Sequence, residues 1–486
     1  MNPYLPYRLL LLLGFVLIKG PVSAQQSLTF YQMTEVPQAN LLNPAHGIPC
    51  SWYLGMPGFA SLHAGYDNTF FSAADLMDGD RWNTPRIADR LHRSDLLALE
   101  GDIALFDLGH WVGRWDLRFT VREQAGLSLS FDRDLPTLLF TGNGSSIGES
   151  VRIDRFSPRA MHFRSYGLGL SRSWNGRTRL GVRTRLLFGK AGLVQGPSRM
   201  EFSTSRDEFY LHFAGNYALR FDLPVELVPD ATDRVTSAQL AADDPLAYLL
   251  NRSNPGLAFD AGVIHRYDEK TTLSASLLDL GFLAWRTQPQ RLDVTGQASF
   301  LGFDGSTEFI SIQHLEELAD SLLHLLEQDL SAGSFLTALT PQLFLGAHHQ
   351  VNEKLRLDLS SRSALYPHKI HTSLSVGAGY RIGEHLHARV AWSWINRSPL
   401  NLGAGLAWQG RNLHLHIVSD NVSGFLLPMQ TRSLNLRIGA GFSWGCPRDV
   451  RNARRDVPAA ASTLAGDCSW AGGDRQRGWF RRKTGF

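Results

Sequence analysis

The sequence predicts an all-β protein: an antiparallel, up-and-down transmembrane β-barrel of about 14 strands (roughly 14–16), with an N-terminal lumen segment and one helix in a long loop. Three observations lead to this fold class. Long segments alternate between apolar and polar residues, tight turns join them, and the chain opens like an export signal. After residue 24, no apolar stretch reaches the 18 or more residues of a transmembrane helix, so we expect none.

Residues 1–24 have the form of a secretory signal peptide. Arg8 precedes an apolar run from Leu9 to Ile18, and Val22-Ser23-Ala24 resembles a cleavage site. The alternative is a membrane anchor, but the run is shorter than the roughly 20 residues that cross a bilayer. We therefore expect export across the inner membrane and a mature chain that begins at Gln25.

The strand assignment rests on period-two alternation. It is clearest in residues 371–382, 385–394 and 432–444, where every second side chain is apolar. These segments are about 10–12 residues long, which suits a tilted strand that crosses a bilayer and exceeds the average strand of soluble proteins. Tight turns separate several strands, at 174–177, 267–270, 351–354, 383–384 and 409–412.

Four long connections are expected, at about 67–98, 134–159, 222–255 and 303–341. The last contains a predicted helix at 311–330, because its leucines recur at helical spacing. Counting strands backwards from a periplasmic C-terminus places 303–341 outside the cell but 222–255 in the periplasm. That position is unusual for a long loop of a barrel. Either a strand near 223–228 is missing from the count, or one long loop is periplasmic.

Two sets of side chains indicate which parts of the barrel face the membrane interface and which face the lumen. Aromatic residues near predicted strand ends favour interfacial girdles over core packing; they are Trp111, Trp115, Trp174, Trp285, Trp392, Trp394, Trp408 and Trp444. Histidines recur on the predicted lumen face and could bind a metal, but they equally suit a polar lumen; they are His371, His385, His387, His414 and His416. We expect no metal site.

Residues 446–486 differ from the rest of the chain. This segment has nine Lys or Arg and four Asp, so we expect a basic, disordered tail. The three cysteines show no CxxC pair; Cys446 and Cys468 could form a disulfide in an oxidising compartment. A basic segment can bind nucleic acid, but an exported chain rarely meets it, and we expect no such partner.

The final predicted strand carries a second targeting pattern. Arg437, Gly439, Phe442 and Trp444 form the series polar-x-Gly-x-x-aromatic-x-aromatic. This series resembles the β-signal by which the barrel-assembly machinery recognises outer-membrane proteins. The resemblance implies an outer-membrane location, although about forty residues follow the strand here.

The segment after the signal peptide carries a further resemblance. Asn43, Pro44 and Ala45 match an NPA segment that is characteristic of FadL-type transporters and the related PorV barrels. In those proteins the segment folds inside the lumen. The resemblance implies that residues 25–50 form a plug and that these three residues belong to the plug or contact a ligand.

Residues 25–445 also resemble an uncharacterised family of Bacteroidota outer-membrane barrels with no settled activity. The matching segments are 53–58, 276–282 and 433–439. The resemblance implies that residues 51–445 form the barrel. It implies little about activity.

The resulting hypothesis is a FadL-like barrel that binds or passes a small hydrophobic molecule, with an apolar pocket beside Asn43–Ala45. The alternative is a barrel that docks secretion-system or surface-attached proteins. No G-x-S-x-G elbow, P-loop or H-E-x-x-H motif occurs, so we expect neither an enzyme nor a cofactor. The expected partners are outer-membrane lipid and the assembly machinery.

Overall fold

The computed structural model describes residues 27–446, apart from residues 71, 79–80, 83–90, 93, 142–143, 154, 207–209, 230–234, 241–244, 302–325, 368 and 396–397. Its wall is a closed antiparallel β-barrel with fourteen strand positions, as the alternation predicts. Strands β1 and β2 share the first position, and β18 and β19 share another. Pairing of β2 with the last strand, β25, closes the barrel. Among the described residues, no helix has the length and apolar character to cross a bilayer.

The wall strands are β1 (Trp52–Gly55), β2 (Ser61–Asn68), β5 (Asp95–Val112), β6 (Trp115–Phe131), β8 (Ser157–Ser173), β9 (Thr178–Gln195), β14 (Asn254–Arg266), β15 (Thr271–Trp285), β18 (Phe335–Ala338), β19 (Gln342–Gln350), β20 (Leu355–Tyr366), β21 (Lys369–Ile382), β22 (Leu386–Ile395), β23 (Ser398–Gln409), β24 (Leu413–Ser419) and β25 (Ser433–Trp444). The remaining strands are β3 (Met77–Asp78), β4 (Arg81–Trp82), β7 (Ser150–Ile153), β10 (Arg199–Thr204), β11 (Tyr210–Asp222), β12 (Val225–Pro229), β13 (Val235–Leu240), β16 (Gln290–Leu301) and β17 (Glu327–Ala332).

The helices are short. They are α1 (Leu28–Tyr31), α2 (Ala73–Leu76), α3 (Asp134–Thr141), α4 (Pro245–Leu249) and α5 (Ser423–Leu426), with 3-10 turns at Pro37–Leu41, Gly144–Ser146 and Pro428–Gln430. The helix predicted at 311–330 lies mostly outside the described residues. For the last residues of that range the prediction is wrong, because Glu327–Ala332 is a strand paired with β16.

The side chains of the wall alternate as the sequence predicts. On β21, Ser373 and Ser375 are buried towards the lumen, whereas Val376 and Tyr380 are about half exposed on the outer surface. A barrel requires this pattern because neighbouring residues of a strand point to opposite faces. The outer surface is therefore apolar and the lumen polar.

Tight turns gather at one end of the barrel, which we call the turn end. Three of them share one hydrogen-bond pattern. A side-chain oxygen accepts hydrogen bonds from the backbone N–H groups two and three residues later, as Asn175 does from Arg177 and Thr178. Asp268 and Asn352 do the same. These residues fold the chain back locally, so each hairpin is encoded by its own turn.

The long connections leave the opposite end, which we call the loop end. Residues 222–255 leave from this end, and the turn at 267–270 lies at the turn end. This placement of residues 222–255 is the reverse of the one that the strand count suggested. The reason is that β11 and β16 are not wall strands, although they alternate like them.

These two strands belong to an accessory sheet of order β7-β10-β11-β16-β17. The sheet joins the wall where the last residues of β11 pair with the end of β9. It buries an apolar cluster that includes Leu138, Phe202 and Phe213. The accessory sheet therefore extends the wall beyond the loop end.

Candidate functional site

Residues 27–50 lie inside the lumen as a plug. Almost every residue of this segment is buried, including Leu28, Phe30 and Leu41 at 1% exposure or less. Phe30 stacks on His416 of β24, and Tyr31 stacks on Phe344 of β19, with ring centroids about 5 Å apart in both pairs. The plug thus contacts wall strands on different sides of the lumen.

Asn43, Pro44 and Ala45 seat the plug against the wall. The Oδ1 atom of Asn43 accepts the Ala45 N–H at 3.0 Å and closes a tight turn. On the wall, Gly181 and Gly262 are cross-strand partners and leave a notch for this turn. A Cβ atom on Gly262 would lie 2.0 Å from Asn43 Oδ1, and one on Gly181 would lie 2.2 Å from Pro44 O. The motif therefore fits a site that only glycines allow.

Wall arginines bind the backbone of the plug. Arg118 donates to Pro37 O at 2.8 Å, and Arg183 donates to Leu41 O at 2.8 Å. Arg356 donates to Gln32 O at 2.6 Å. Because these bonds use carbonyl oxygens, they depend on the path of the plug more than on its side chains.

A carboxylate holds the start of the plug. Asp420, after β24, accepts the Ser27 N–H at 2.5 Å and the Thr29 N–H at 2.6 Å. These groups open helix α1, where backbone N–H groups lack partners within the helix. Asn435 Nδ2 donates to the same carboxylate at 2.7 Å. The start of the plug is therefore fixed to the wall near the loop end of β24.

Ion pairs stabilise most of the arginines that line the lumen. Each guanidinium needs a counter-charge, because an unpaired buried charge costs several kcal/mol. The pairs are Arg118–Asp107, Arg122–Asp102, Arg183–Asp260, Arg185–Asp279, Arg356–Glu35 and Arg389–Asp358. Together with the plug, these pairs fill much of the lumen with polar groups.

A cavity of about 140 Å³ remains inside the lumen beside the plug. The plug contributes Ser27, Leu41 and Leu42 to its lining, whereas the sequence led us to expect an apolar pocket beside Asn43–Ala45. The wall contributes apolar side chains and charged ones in similar measure. They include Met161, Phe163, Leu278, Leu339, Phe344, Glu100, Asp102, Arg122, Arg159 and Arg362.

A second cavity, a groove of about 620 Å³, lies on the wall strands β25, β2, β5, β6 and β8. It is almost entirely apolar and open, and Phe425 from the loop-end helix α5 lines one side. Its remaining lining includes Ala64, Tyr66, Leu99, Leu127, Ala160, His162, Leu434 and Leu436.

The groove and the lumen cavity share one stretch of wall. Residues 99–101 of β5 and 125–127 of β6 line both. Gly101 is paired with the exposed Ala64, whereas Gly126 is paired with Glu100 on the lumen side. A Cβ atom on Gly101 would meet nothing within 4 Å, and one on Gly126 would meet only Leu99 O at 3.9 Å. The barrier there is little more than backbone.

A charged cluster lies on the outer surface beside the groove. Glu123 contacts Arg164 at 2.7 Å, His162 at 2.9 Å and Lys190. Tyr248 of helix α4 hydrogen-bonds to His162 at 2.7 Å and attaches that helix to the wall. The sequence alone did not lead us to expect this cluster. The signal was present, because Glu123 interrupts the apolar outward residues of β6.

The predicted lumen histidines are placed differently from one another. His371, His414 and His416 are buried in the lumen, whereas His385 lies in an exposed turn. His414 contacts Ser443 Oγ at 2.8 Å. Within the described ranges, no three His, Cys, Asp or Glu side chains are grouped as metal ligands.

The residues of the predicted assembly signal divide between the two faces of β25. Arg437 and Gly439 face the lumen, where Arg437 lies over the Phe30 ring at 4.8 Å. Phe442 and Trp444 face outwards and are 39% exposed. Trp115, Trp174 and Trp408 are also exposed near the turn end.

Trp285 was wrongly grouped with these outward aromatic residues. It is fully buried against Gly189 and Gly192, where bulkier residues would collide with its ring.

The cysteine pairing that the sequence suggested is also wrong. Cys50 and Cys446 form a disulfide, with Cα atoms 4.2 Å apart and 396 residues apart in sequence. The bond joins the end of the plug to the end of β25. Their proximity follows from barrel closure, because Trp52 of β1 is paired with Trp444 of β25.

A family model matches residues 44–420, which is most of the chain. The protein belongs to the family of unknown function DUF5723. The expectation of an uncharacterised barrel family is therefore confirmed. No curated protein matches this chain.

Several solved structures match most of this chain at low sequence identity. The toluene transporter TodX of Pseudomonas putida is 9% identical, with 87% of this chain and 98% of TodX covered and a TM-score of 0.37. A FadL homologue of Pseudomonas aeruginosa is 12% identical, with 84% and 94% covered and a TM-score of 0.35. The translocator domain of the Neisseria meningitidis autotransporter NalP is 8% identical, with 81% and 89% covered and a TM-score of 0.29.

Proposed function

We propose that this DUF5723 protein is an outer-membrane barrel that takes a small hydrophobic molecule from the groove through the thin wall into the lumen cavity. The observation that carries the proposal is the shared barrier at Gly101 and Gly126. The loop end faces the outside of the cell and the turn end the periplasm.

The membrane location is supported by the outer surface. Large apolar side chains cover it; Val182, Val390 and Trp392 are each more than half exposed. Soluble monomers rarely expose apolar patches of more than a few hundred Å². In a lipid bilayer this surface no longer contacts water, so its exposure is not unfavourable. A closed barrel also leaves no strand edge unpaired within the bilayer. Export through residues 1–24 and assembly through β25 belong to the same proposal.

Entry through the wall is favoured over axial passage because the plug is firmly held. Hydrogen bonds from wall arginines, and to the Asp420 carboxylate, hold its backbone at Ser27, Gln32, Pro37 and Leu41. Axial flow would have to break several of these bonds together, whereas the lateral route would have to part only the paired backbone of β5 and β6 between the two cavities. The lumen cavity then acts as the binding site.

Bromobenzene diffused into crystals tests the proposal, because anomalous scattering locates its bromine. We expect bromine in the groove and in the lumen cavity. Gly126→Leu should remove the cavity site alone, since its side chain would enter that space. Gly101→Leu should remove the groove site. Gly333→Leu is the matched control, because a Cβ atom there also meets nothing within 4 Å but lies in a loop. A bromine position at neither site in the native protein contradicts the proposal.

A further inference from the structure

Arg159 is the unusual residue of the lumen cavity. It lies near the loop end of β8, is 8% exposed and lines the cavity. One terminal nitrogen, Nη2, donates to Ala338 O and lies 3.6 Å from Met161 Sδ. Its Nε–H is buried and has no acceptor among the described residues.

Neighbouring arginines of the cavity differ in their surroundings. Arg122 is paired with Asp102, and Arg183 is paired with Asp260 at 2.7 Å. In the part of the chain that the structure describes, no carboxylate lies within 4.0 Å of Arg159 in an ion pair. A buried guanidinium without a counter-charge is costly, so an anion that reached it would be strongly favoured.

The space beside Arg159 limits the size of that anion. The cavity measures about 140 Å³, and Phe163, Leu278 and Phe344 supply apolar surface to it. A dry apolar cavity of roughly 150 Å³ accommodates benzene. A ring-sized body therefore fits, whereas a long acyl chain exceeds the volume.

A carboxyl group of the cavity limits the number of anionic groups on the ligand. Glu100 lines the same space and accepts a hydrogen bond from Tyr366 Oη at 3.3 Å. Glu100 is paired with Gly126 of β6, and Arg159 is paired with Ser128 on the other side of the same strand. A second anionic group on the ligand would meet this carboxyl group, so one anionic group suits the cavity best.

We propose that the lumen cavity binds a small carboxylate monoanion with a compact apolar body, and that Arg159 holds its carboxylate. The assignment rests on the proposed function, because it names the class of molecule bound at that same cavity. The guanidinium of Arg159 donates to the carboxylate, and such a charge-assisted bond is stronger than one between neutral groups. Phe163 and Phe344 pack against the apolar body.

The test compares 4-bromobenzoate with bromobenzene, two probes of similar shape that differ in charge. Binding to the full-length protein in nanodiscs is measured by calorimetry, and bromine is located in crystals. We expect 4-bromobenzoate to bind in the cavity more tightly than bromobenzene. Arg159→Met should weaken 4-bromobenzoate by about 10- to 100-fold and leave bromobenzene unchanged, as expected for loss of a hydrogen bond to a charged group. Arg159→Lys should restore part of the affinity.

Arg172→Met is the matched control, since Arg172 lies on the same strand but packs over Trp115 near the turn end. It should change neither affinity. Bromododecanoate tests the size limit and should not enter the cavity. Tighter binding of bromododecanoate there, or equal binding of 4-bromobenzoate by Arg159→Met and native protein, overturns the inference.

Bromobenzene bound in the cavity as tightly as 4-bromobenzoate overturns this inference while the proposed function stands. Absence of both probes from the groove and the cavity overturns both proposals.

Discussion

At the scale of single residues, the NPA motif and the wall glycines form one fitted unit. Asn43 is a recognisable motif residue in sequence, but the glycines that receive it are 138 and 219 residues away, at Gly181 and Gly262. Glycine in a strand normally weakens it, so its presence there indicates close approach of another segment. The sequence shows both halves of the contact without showing that they meet.

Gly262→Ala tests this contact. Its Cβ atom would overlap Asn43 Oδ1, and such overpacking costs about 1–3 kcal/mol. We expect a lower thermal unfolding midpoint and faster proteolysis of the plug. Gly379→Ala is the control, because its nearest neighbour would lie 3.5 Å away. Adding Asn43→Ala to Gly262→Ala should recover part of the loss; a double variant no more stable than Gly262→Ala would show that the clash lies elsewhere.

At the scale of elements, local patterns predicted the wall strands well and their partners less well. Alternation within β21 and β25 depends on each strand alone, because one face meets the lumen and the other the outside. Strands β11 and β16 alternate in the same way but pair in the accessory sheet. Pairing depends on distant residues, so the loop parity could not be derived from the alternation. The place and mixed lining of the lumen cavity could not be predicted for the same reason, since its lining comes from many strands.

The plug is an element whose stability can be tested separately from the wall. Asp420→Asn keeps the shape of the side chain but removes the negative charge that holds the Ser27 and Thr29 N–H groups. Hydrogen bonds to charged groups contribute about 1.5–3 kcal/mol each. We expect faster amide hydrogen exchange across residues 27–31, with exchange in β21 unchanged. Equal acceleration in both segments would mean that the whole barrel, not the plug, had been destabilised.

At the scale of the whole molecule, the Cys50–Cys446 disulfide joins the end of the plug to the end of the last wall strand, β25. A bond that closes so long a loop restricts the unfolded chain strongly, by about 5–6 kcal/mol in the chain-entropy account. Cysteine spacing alone could not identify the pair, because only closure of β1 on β25 brings the two residues together.

Cys446→Ser should therefore lower the temperature at which the folded barrel unfolds in detergent, and a reducing agent should lower it equally in the native protein. Cys468→Ser is the matched control and should leave the unfolding temperature unchanged. An unfolding temperature that responds to Cys468→Ser and not to Cys446→Ser would contradict the pairing.

The same disulfide gives the molecule the topology of a lasso. Residues 50–446 form a covalently closed ring. The plug, which precedes Cys50 in sequence, is the tail of this lasso and lies inside the ring. The bond lies beside the pairing of β1 with β25, so the first and last strands of the wall stay tethered there even when their hydrogen bonds open. The two chain ends of the wall therefore cannot move far apart while the bond is intact.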